Sequence, residues 1–291
     1  MSKTKERETL FEISDDTSGQ DFPQPLPPDP NKPKNALIIA LCNQKGGVGK
    51  TTSTINLGAA LAETGRKVLL VDFDPQGSLS VGLGANPHTL ETTVYNLLVG
   101  HDVHISDVIT GTKVENLDLL PSNIDLAAAE IQLVTEVARE QSLSRVLEQV
   151  RDQYDMILID CAPSLGLLTI NALTVADKVI IPLECEFFAL RGVALLTDTI
   201  ERVQSRLNPK LEILGIVGTM YDARTVHSRE VLERVEQAFG DIVFKSVIRR
   251  TIMFPETTVA GEPITTYASS STGADSYRSL AKEVLARCPA A

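Results

Sequence analysis

Six short apolar runs punctuate the chain from residue 36 onward: ALIIALC, KVLLVDF, NLDLLP, DMILIDC, KVIIPLE and EILGIVGTM. They are rich in Ile, Leu and Val, and polar residues do not alternate through them. Strands covered on both faces read this way, because neither face needs a polar set. Between the runs lie stretches with helical spacing, among them 50–64, 138–151 and 190–207. Strand and helix in repeated alternation predict an α/β fold, a doubly wound, mostly parallel sheet with helices on both faces. No internal repeat or break divides residues 36–291, which are expected to form one domain.

Residues 1–35 differ from the rest. The stretch DFPQPLPPDPNKPKN carries six of the chain's 15 prolines, with mixed charges around it. Such a segment has too little apolar surface to fold alone, which predicts a disordered proline-rich tail. Two roles stay open for it: a solvating extension, or a docking arm for a partner protein. The opening MSKTKERETLFEISDD lacks the apolar centre of a signal peptide, and no run approaches the ~20 apolar residues that span a bilayer. The expected location is cytoplasmic.

Composition narrows the chemistry. Cys42, Cys161, Cys185 and Cys288 are scattered, without metal-ligand spacing, and read as reduced thiols. His101 and His104 read as part of a solvated loop. The net charge of −11 and pI near 4.9 exclude a surface that is basic throughout, as a dedicated nucleic-acid binder has. A local basic patch remains compatible with them.

The most specific signal is CNQKGGVGKTT, Cys42–Thr52. A strand expected to end at Asn43 leads into a glycine-rich turn and then a helix expected over 51–61. Glycines let backbone N–H groups approach an anion, and the helix N-terminus adds positive potential. Gly46, Gly47, Val48, Gly49, Lys50, Thr51 and Thr52 therefore form a candidate phosphate cradle. Lys50 is placed to reach the β- and γ-phosphates, and Thr51 to offer its hydroxyl to Mg²⁺. The usual pattern has glycine where Gln44 stands, and a second lysine, Lys45, follows it. Two further strands end in acids. VLLVDFD puts Asp72 and Asp74 on one face at the C-terminal edge, where ligands sit in such sheets. MILIDCAPS ends on Asp160, the usual pattern for the acid that holds Mg²⁺ through water.

KGGVGKTT, LLVDFDPQG, ILIDCAPSLG, GTMYDART and GEPITTYASSSTGADSYRSLAKEV resemble the ParA/Soj chromosome- and plasmid-partitioning ATPases. That family lies within a larger group of P-loop NTPases with a deviant Walker A motif, which includes MinD. The similarity runs from about Leu37 to Val284. It implies that Lys45 reaches across a homodimer seam to the partner subunit's ATP, so that two chains sandwich two nucleotides. Dimerisation then depends on ATP. The resemblance also implies that Asp74 orients the attacking water, that Asp72 supports Mg²⁺ or the loop after it, and that Arg249 and Thr251 flank the adenine. DNA contact without sequence preference falls on Arg224, Arg249 and Arg250, with Arg229, Arg278 and Lys282 as outlying support. Met253 stands where the family has another DNA-contact arginine.

The function expected from this resemblance is an ATP- and Mg²⁺-dependent partitioning ATPase. Its sandwich dimer binds DNA non-specifically, associates with the nucleoid while ATP-bound, and is released when a ParB-like partner stimulates slow hydrolysis. Two readings of other classes stand beside it. One is a cargo-positioning scaffold that uses the same ATP-gated dimer but acts through protein contacts. The other is a MinD-like membrane switch, for which the C-terminal helix carries only Arg278, Lys282 and Arg287 as basic residues; no membrane partner is expected.

Overall fold

The computed structural model describes residues 22–29, 34–100, 102–186 and 189–288. Six of its strands are the six apolar runs: β1 (Leu37–Leu41), β2 (Val68–Phe73), β4 (Leu117–Leu120), β5 (Met156–Cys161), β6 (Lys178–Glu184) and β7 (Glu212–Thr219). A two-residue strand, β3 (Thr110–Gly111), runs antiparallel along β4. The seven strands lie in the order β3-β4-β2-β5-β1-β6-β7, and every pairing except β3 with β4 is parallel.

The helices are α1 (Lys50–Ala62), α2 (Ser78–Gly82), α3 (Val94–Val99), α4 (Ile105–Val108), α5 (Leu126–Gln132), α6 (Ser142–Leu147), α7 (Leu167–Val175), α8 (Ala189–Arg206), α9 (Val226–Phe239), α10 (Met253–Ala260), α11 (Ile264–Tyr267) and α12 (Thr272–Arg287). Both faces of the sheet are covered. Ile38, Ala40, Leu69, Val71 and Phe73 point into one core, filled from the other side by α3 to α9. Ile39, Leu41, Val68, Leu70 and Leu117 point into a second core beneath α1, α2, α11 and α12. Successive strand residues thus enter opposite cores, and this is why the runs show no polar alternation.

Two expectations change in detail. The helix expected over 138–151 shrinks to α6, preceded by a single 3-10 turn at Arg139–Gln141. Ala138, left-handed at φ 55°, breaks the start. At the other end, Val150 N–H bonds to the Leu147 carbonyl, a tightened turn that drops the chain into β5. The tail expected over 1–35 lies mostly outside the described residues, as does His101. Within that tail, Arg66 Nη2 donates to the Leu26 carbonyl at 3.3 Å. Among the described residues, no helix is long and apolar enough to cross a membrane.

Candidate nucleotide site

The loop between β1 and α1 sits at the C-terminal edge of the sheet, beside the ends of β5 and β6. Gly47 at φ 77° and Gly49 at φ 80° are left-handed, a conformation that L side chains rarely adopt. A Cβ placed on Gly46 or Gly47 would meet nothing within 4 Å, so open space lies beside this turn. The first turn of α1 carries no acid to compete for its N–H groups. Neighbours pin the loop from two sides. Asn43 Nδ2 donates to the Pro182 carbonyl at 2.7 Å while its Oδ1 accepts from Lys45 N–H at 3.0 Å. Thr219 Oγ1 donates to the Val48 carbonyl at 2.8 Å. Lys50 is only 7% exposed, and its Nζ donates to the Lys45 carbonyl at 3.1 Å.

Strand register assembles the carboxylates. Asp72 of β2 lies opposite Asp160 of β5, and Leu41 of β1 pairs with Asp160 from the other side. Asp160 Oδ2 accepts from Thr51 Oγ1 at 2.7 Å, and its Oδ1 accepts from Thr54 Oγ1 at 3.3 Å. Burial, and then the neighbouring Asp72, push the Asp160 carboxyl up to about 8, against the opposing pull of Thr51 and Lys50. Burial pushes Asp72 up to about 6. Asp72 is tied to the loop that follows it: Oδ2 accepts from Ser80 N–H at 2.8 Å and from Ser80 Oγ at 2.7 Å. Asp74 is 9% exposed, and its Oδ1 accepts from Gln76 N–H at 3.0 Å.

This set fits Mg²⁺. The Thr51 hydroxyl and the Asp160 carboxylate are hard oxygen donors, the kind that ion takes. A cation held there would favour the ionised form of these acids, which burial first and mutual repulsion second now push towards protonation. Behind the loop, the Cys42 and Cys161 thiols lie 3.0 Å apart, both buried and free. Burial raises the Cys161 thiol well above its usual range and keeps it protonated.

Lys45 is held by residues that the motif reading missed. Its Nζ lies 2.8 Å from Glu184 Oε2 and 2.9 Å from Glu186 Oε2. These acids raise the lysine's affinity for its proton, and Lys45 in turn holds Glu186 below the usual carboxylate range. The only sequence signal for them is their place at and just beyond the end of a predicted strand. Asn43 and Thr219 carried no signal either, since their contacts to Pro182 and Val48 are distant in sequence, and Ser80 carried none because its bond to Asp72 depends on how the loop after β2 folds back.

The arginines form a separate group. A parallel bridge joins Tyr221 to Arg249, with Tyr221 N–H donating to the Ile248 carbonyl and Arg250 N–H to the Tyr221 carbonyl. This brings the loop after β7, which bears Arg224, alongside Arg249 and Arg250. Arg224 and Arg250 are exposed, whereas Arg249 is half-buried. Thr251 Oγ1 accepts from Met253 N–H at 3.2 Å at the start of α10, and Met253 packs partly buried against the second core. Arg229 is exposed on α9. Arg278 is committed to Glu63 at 2.7 Å.

Comparison with known proteins agrees with this geometry. A family model described as an AAA domain matches residues 36–213. The sporulation initiation inhibitor protein Soj of Bacillus subtilis is 52% identical over 86% of this chain and 98% of its own length. The chromosome partitioning protein ParA of Caulobacter vibrioides is 46% identical over 86% of this chain and 94% of its own. A Mycobacterium smegmatis structure, described as cobyrinic acid a,c-diamide synthase with a bound ATP analog and magnesium, superposes with a TM-score of 0.78. It is 43% identical, covering 88% of this chain and 96% of that one. With the phosphate loop, the strand-end acids and these relatives together, the chain belongs to the ParA/Soj family of chromosome-partitioning ATPases.

Proposed function

We propose that this chain is an ATP-gated partitioning switch in which ATP and Mg²⁺ drive two copies into a sandwich dimer. The dimer binds DNA without sequence preference, and a ParB-like partner ends the bound state by stimulating hydrolysis. Lys50 and the amides of Gly46 to Thr52 would hold the phosphates, Thr51 and Asp160 the Mg²⁺, and Arg249 and Thr251 the adenine. Asp74 would orient the water, Asp72 would fix the loop after β2, and Lys45 would neutralise the partner's γ-phosphate. Magnesium supplies charge neutralisation at the transferring phosphoryl group. The cytoplasm, with the nucleoid as the ATP-bound address, is the location that follows from this reading.

The observation that carries it is the contrast between the two lysines. Lys50 is buried and turned into its own loop. The Lys45 side chain is 46% exposed at the mouth of the loop, paired with the largely buried Glu184 and the exposed Glu186. A cation so placed is positioned to leave for an anion brought by another molecule. Light scattering of Asp74→Ala, chosen to slow hydrolysis, tests this: a dimer is expected with ATP and a monomer with ADP. Adding Lys45→Ala should abolish the ATP dimer while fluorescent-nucleotide binding persists. A dimer that ignores nucleotide, or survives loss of Lys45, contradicts the reading.

A scaffold acting through protein contacts is the second reading. Met253, in place of an arginine, and the pairing of Arg224 with Asp222 favour it. The membrane-switch reading loses its candidate helix, because Tyr277, Leu280, Ala281, Val284 and Leu285 of α12 are buried in the second core.

A further inference from the structure

Arg224 is widely exposed, with 89% of its side chain open to solvent. It is nevertheless occupied. Its Nε donates to Asp222 Oδ1 at 2.9 Å and its Nη2 to Asp222 Oδ2 at 2.8 Å. This is the two-pronged geometry by which a guanidinium takes a carboxylate or a phosphate, with two oxygens matched to two N–H groups. The Asp222 carboxylate therefore stands where two oxygens of a phosphate would sit.

The surroundings point the same way. The bridge between Tyr221 and Arg249 sets Arg250 beside Asp222, and Arg250 contributes to holding the Asp222 carboxyl at about 2, after Arg224 itself. Arg250 also acts on Glu186. The helix that starts here, α9, has 14 residues and no acid in its first turn, and Thr225 caps it by accepting from Ser228 N–H at 3.3 Å. Two arginines beside a helix N-terminus attract an anion. Asp222 cancels part of that attraction from within the chain.

We propose that Asp222 competes in cis with DNA phosphate for Arg224 and so weakens, and makes readily reversible, the DNA contact of this patch. The proposal rests on the DNA-binding reading above. An anionic strand gains Arg224 only by displacing Asp222, and it then faces a freed carboxylate. In a dimer the effect acts twice, once in each subunit.

Asp222 also shapes its own turn, since its Oδ1 accepts Arg224 N–H at 3.0 Å and its carbonyl accepts from Thr225. Asn is therefore the informative replacement: Asp222→Asn keeps the side-chain oxygen for the turn and removes the charge. The full chain with ATP is titrated with a mixed-sequence duplex DNA from about 50 to 200 mM salt. Asp222→Asn is expected to bind more tightly, by about threefold per subunit and about tenfold for a two-subunit complex, as surface ion pairs of this kind allow. Its affinity should fall more steeply with salt. Most of the gain should vanish in the Arg224→Ala background.

Wild type that binds DNA no more weakly than Asp222→Asn overturns the role of Asp222 and leaves the DNA reading standing. A gain that persists in full without Arg224 overturns the competition as well. If neither wild type nor Asp222→Asn binds the duplex at low salt, the DNA reading itself fails. Binding by Asp222→Asn alone supports both.

Discussion

Lys45 Nζ lies 2.8 Å from Glu184 Oε2, an acid 139 residues further along the same chain. Glu186 Oε2 completes the clasp at 2.9 Å. The lysine that the family resemblance assigns to a partner's nucleotide is thus paired with two acids of its own chain. In the proposed ATP dimer, Lys45 would exchange these carboxylates for phosphate. Such an exchange opposes dimerisation modestly, because Lys45 and Glu186 are about half-exposed while Glu184 is 13% exposed.

Neutralising the clasp should therefore favour the dimer. The Glu184→Gln, Glu186→Gln double variant is expected to reach half-dimerisation at roughly threefold lower ATP than wild type, read by light scattering across an ATP titration. An unchanged or higher ATP requirement would show that the clasp does not restrain Lys45.

The buried acids predict a pH dependence with a definite sign. Asp160 is raised to about 8 and Asp72 to about 6, above the roughly 3.9 of an unfolded aspartate. A raised carboxyl binds its proton more strongly in the folded state, so stability is lost as pH rises through the window between these values. The nucleotide-free chain should melt a few degrees lower at about pH 8 than at about pH 6. Mg–ADP should narrow that gap, because a cation beside Asp160 favours the ionised form. A melting temperature that climbs over the same range, measured by calorimetry, contradicts the assignment.

Glu283 on α12 is buried at 1% exposure and accepts from Lys245 N–H at 3.0 Å, Ser246 N–H at 2.9 Å and Arg287 Nη2 at 2.8 Å. It fixes the segment that leads from β7 towards Arg249 and Thr251. Glu283→Ala leaves two buried backbone donors without their acceptor and removes the carboxylate from Arg287, whose guanidinium keeps the Leu214, Ile242 and Val243 carbonyls. The expected loss is about 3 kcal/mol in urea unfolding, with Glu283→Gln closer to wild type.

Gly261 ends α10 with φ 65°, and a Cβ there would lie 2.8 Å from Gly84 Cα. Backbone, unlike a side-chain tip, has little room to yield. Gly261→Ala should cost about 2 kcal/mol or more, measured by the same urea unfolding. A neutral result would mean that the α10 end and the turn after α2 separate without penalty.

What was legible in the sequence follows from what is local. Six strands were readable because burial on both faces leaves an uninterrupted apolar run. β3 was not, since two residues carry no pattern, and neither were the single-turn helices α4 and α11. The phosphate cradle was readable because its glycines, Lys50 and Thr51 sit in one stretch. Glu184 and Asn43 were not, because their roles depend on which strands are neighbours, nor was Ser80, whose bond to Asp72 depends on the fold of the loop between them. The Asp222–Arg224 pair lies two residues apart within the quoted YDART, yet spacing alone cannot tell a surface pair from two solvated charges.

The central claim is that ATP, through the dimer, confers DNA binding on a chain of net charge −11. The most direct measurement titrates Asp74→Ala against duplex DNA with ATP, with ADP and without nucleotide, from about 50 to 200 mM salt. The account predicts binding with ATP only, fading steeply as salt rises. An ATP dimer that ignores DNA at low salt would contradict it and turn the function towards protein partners.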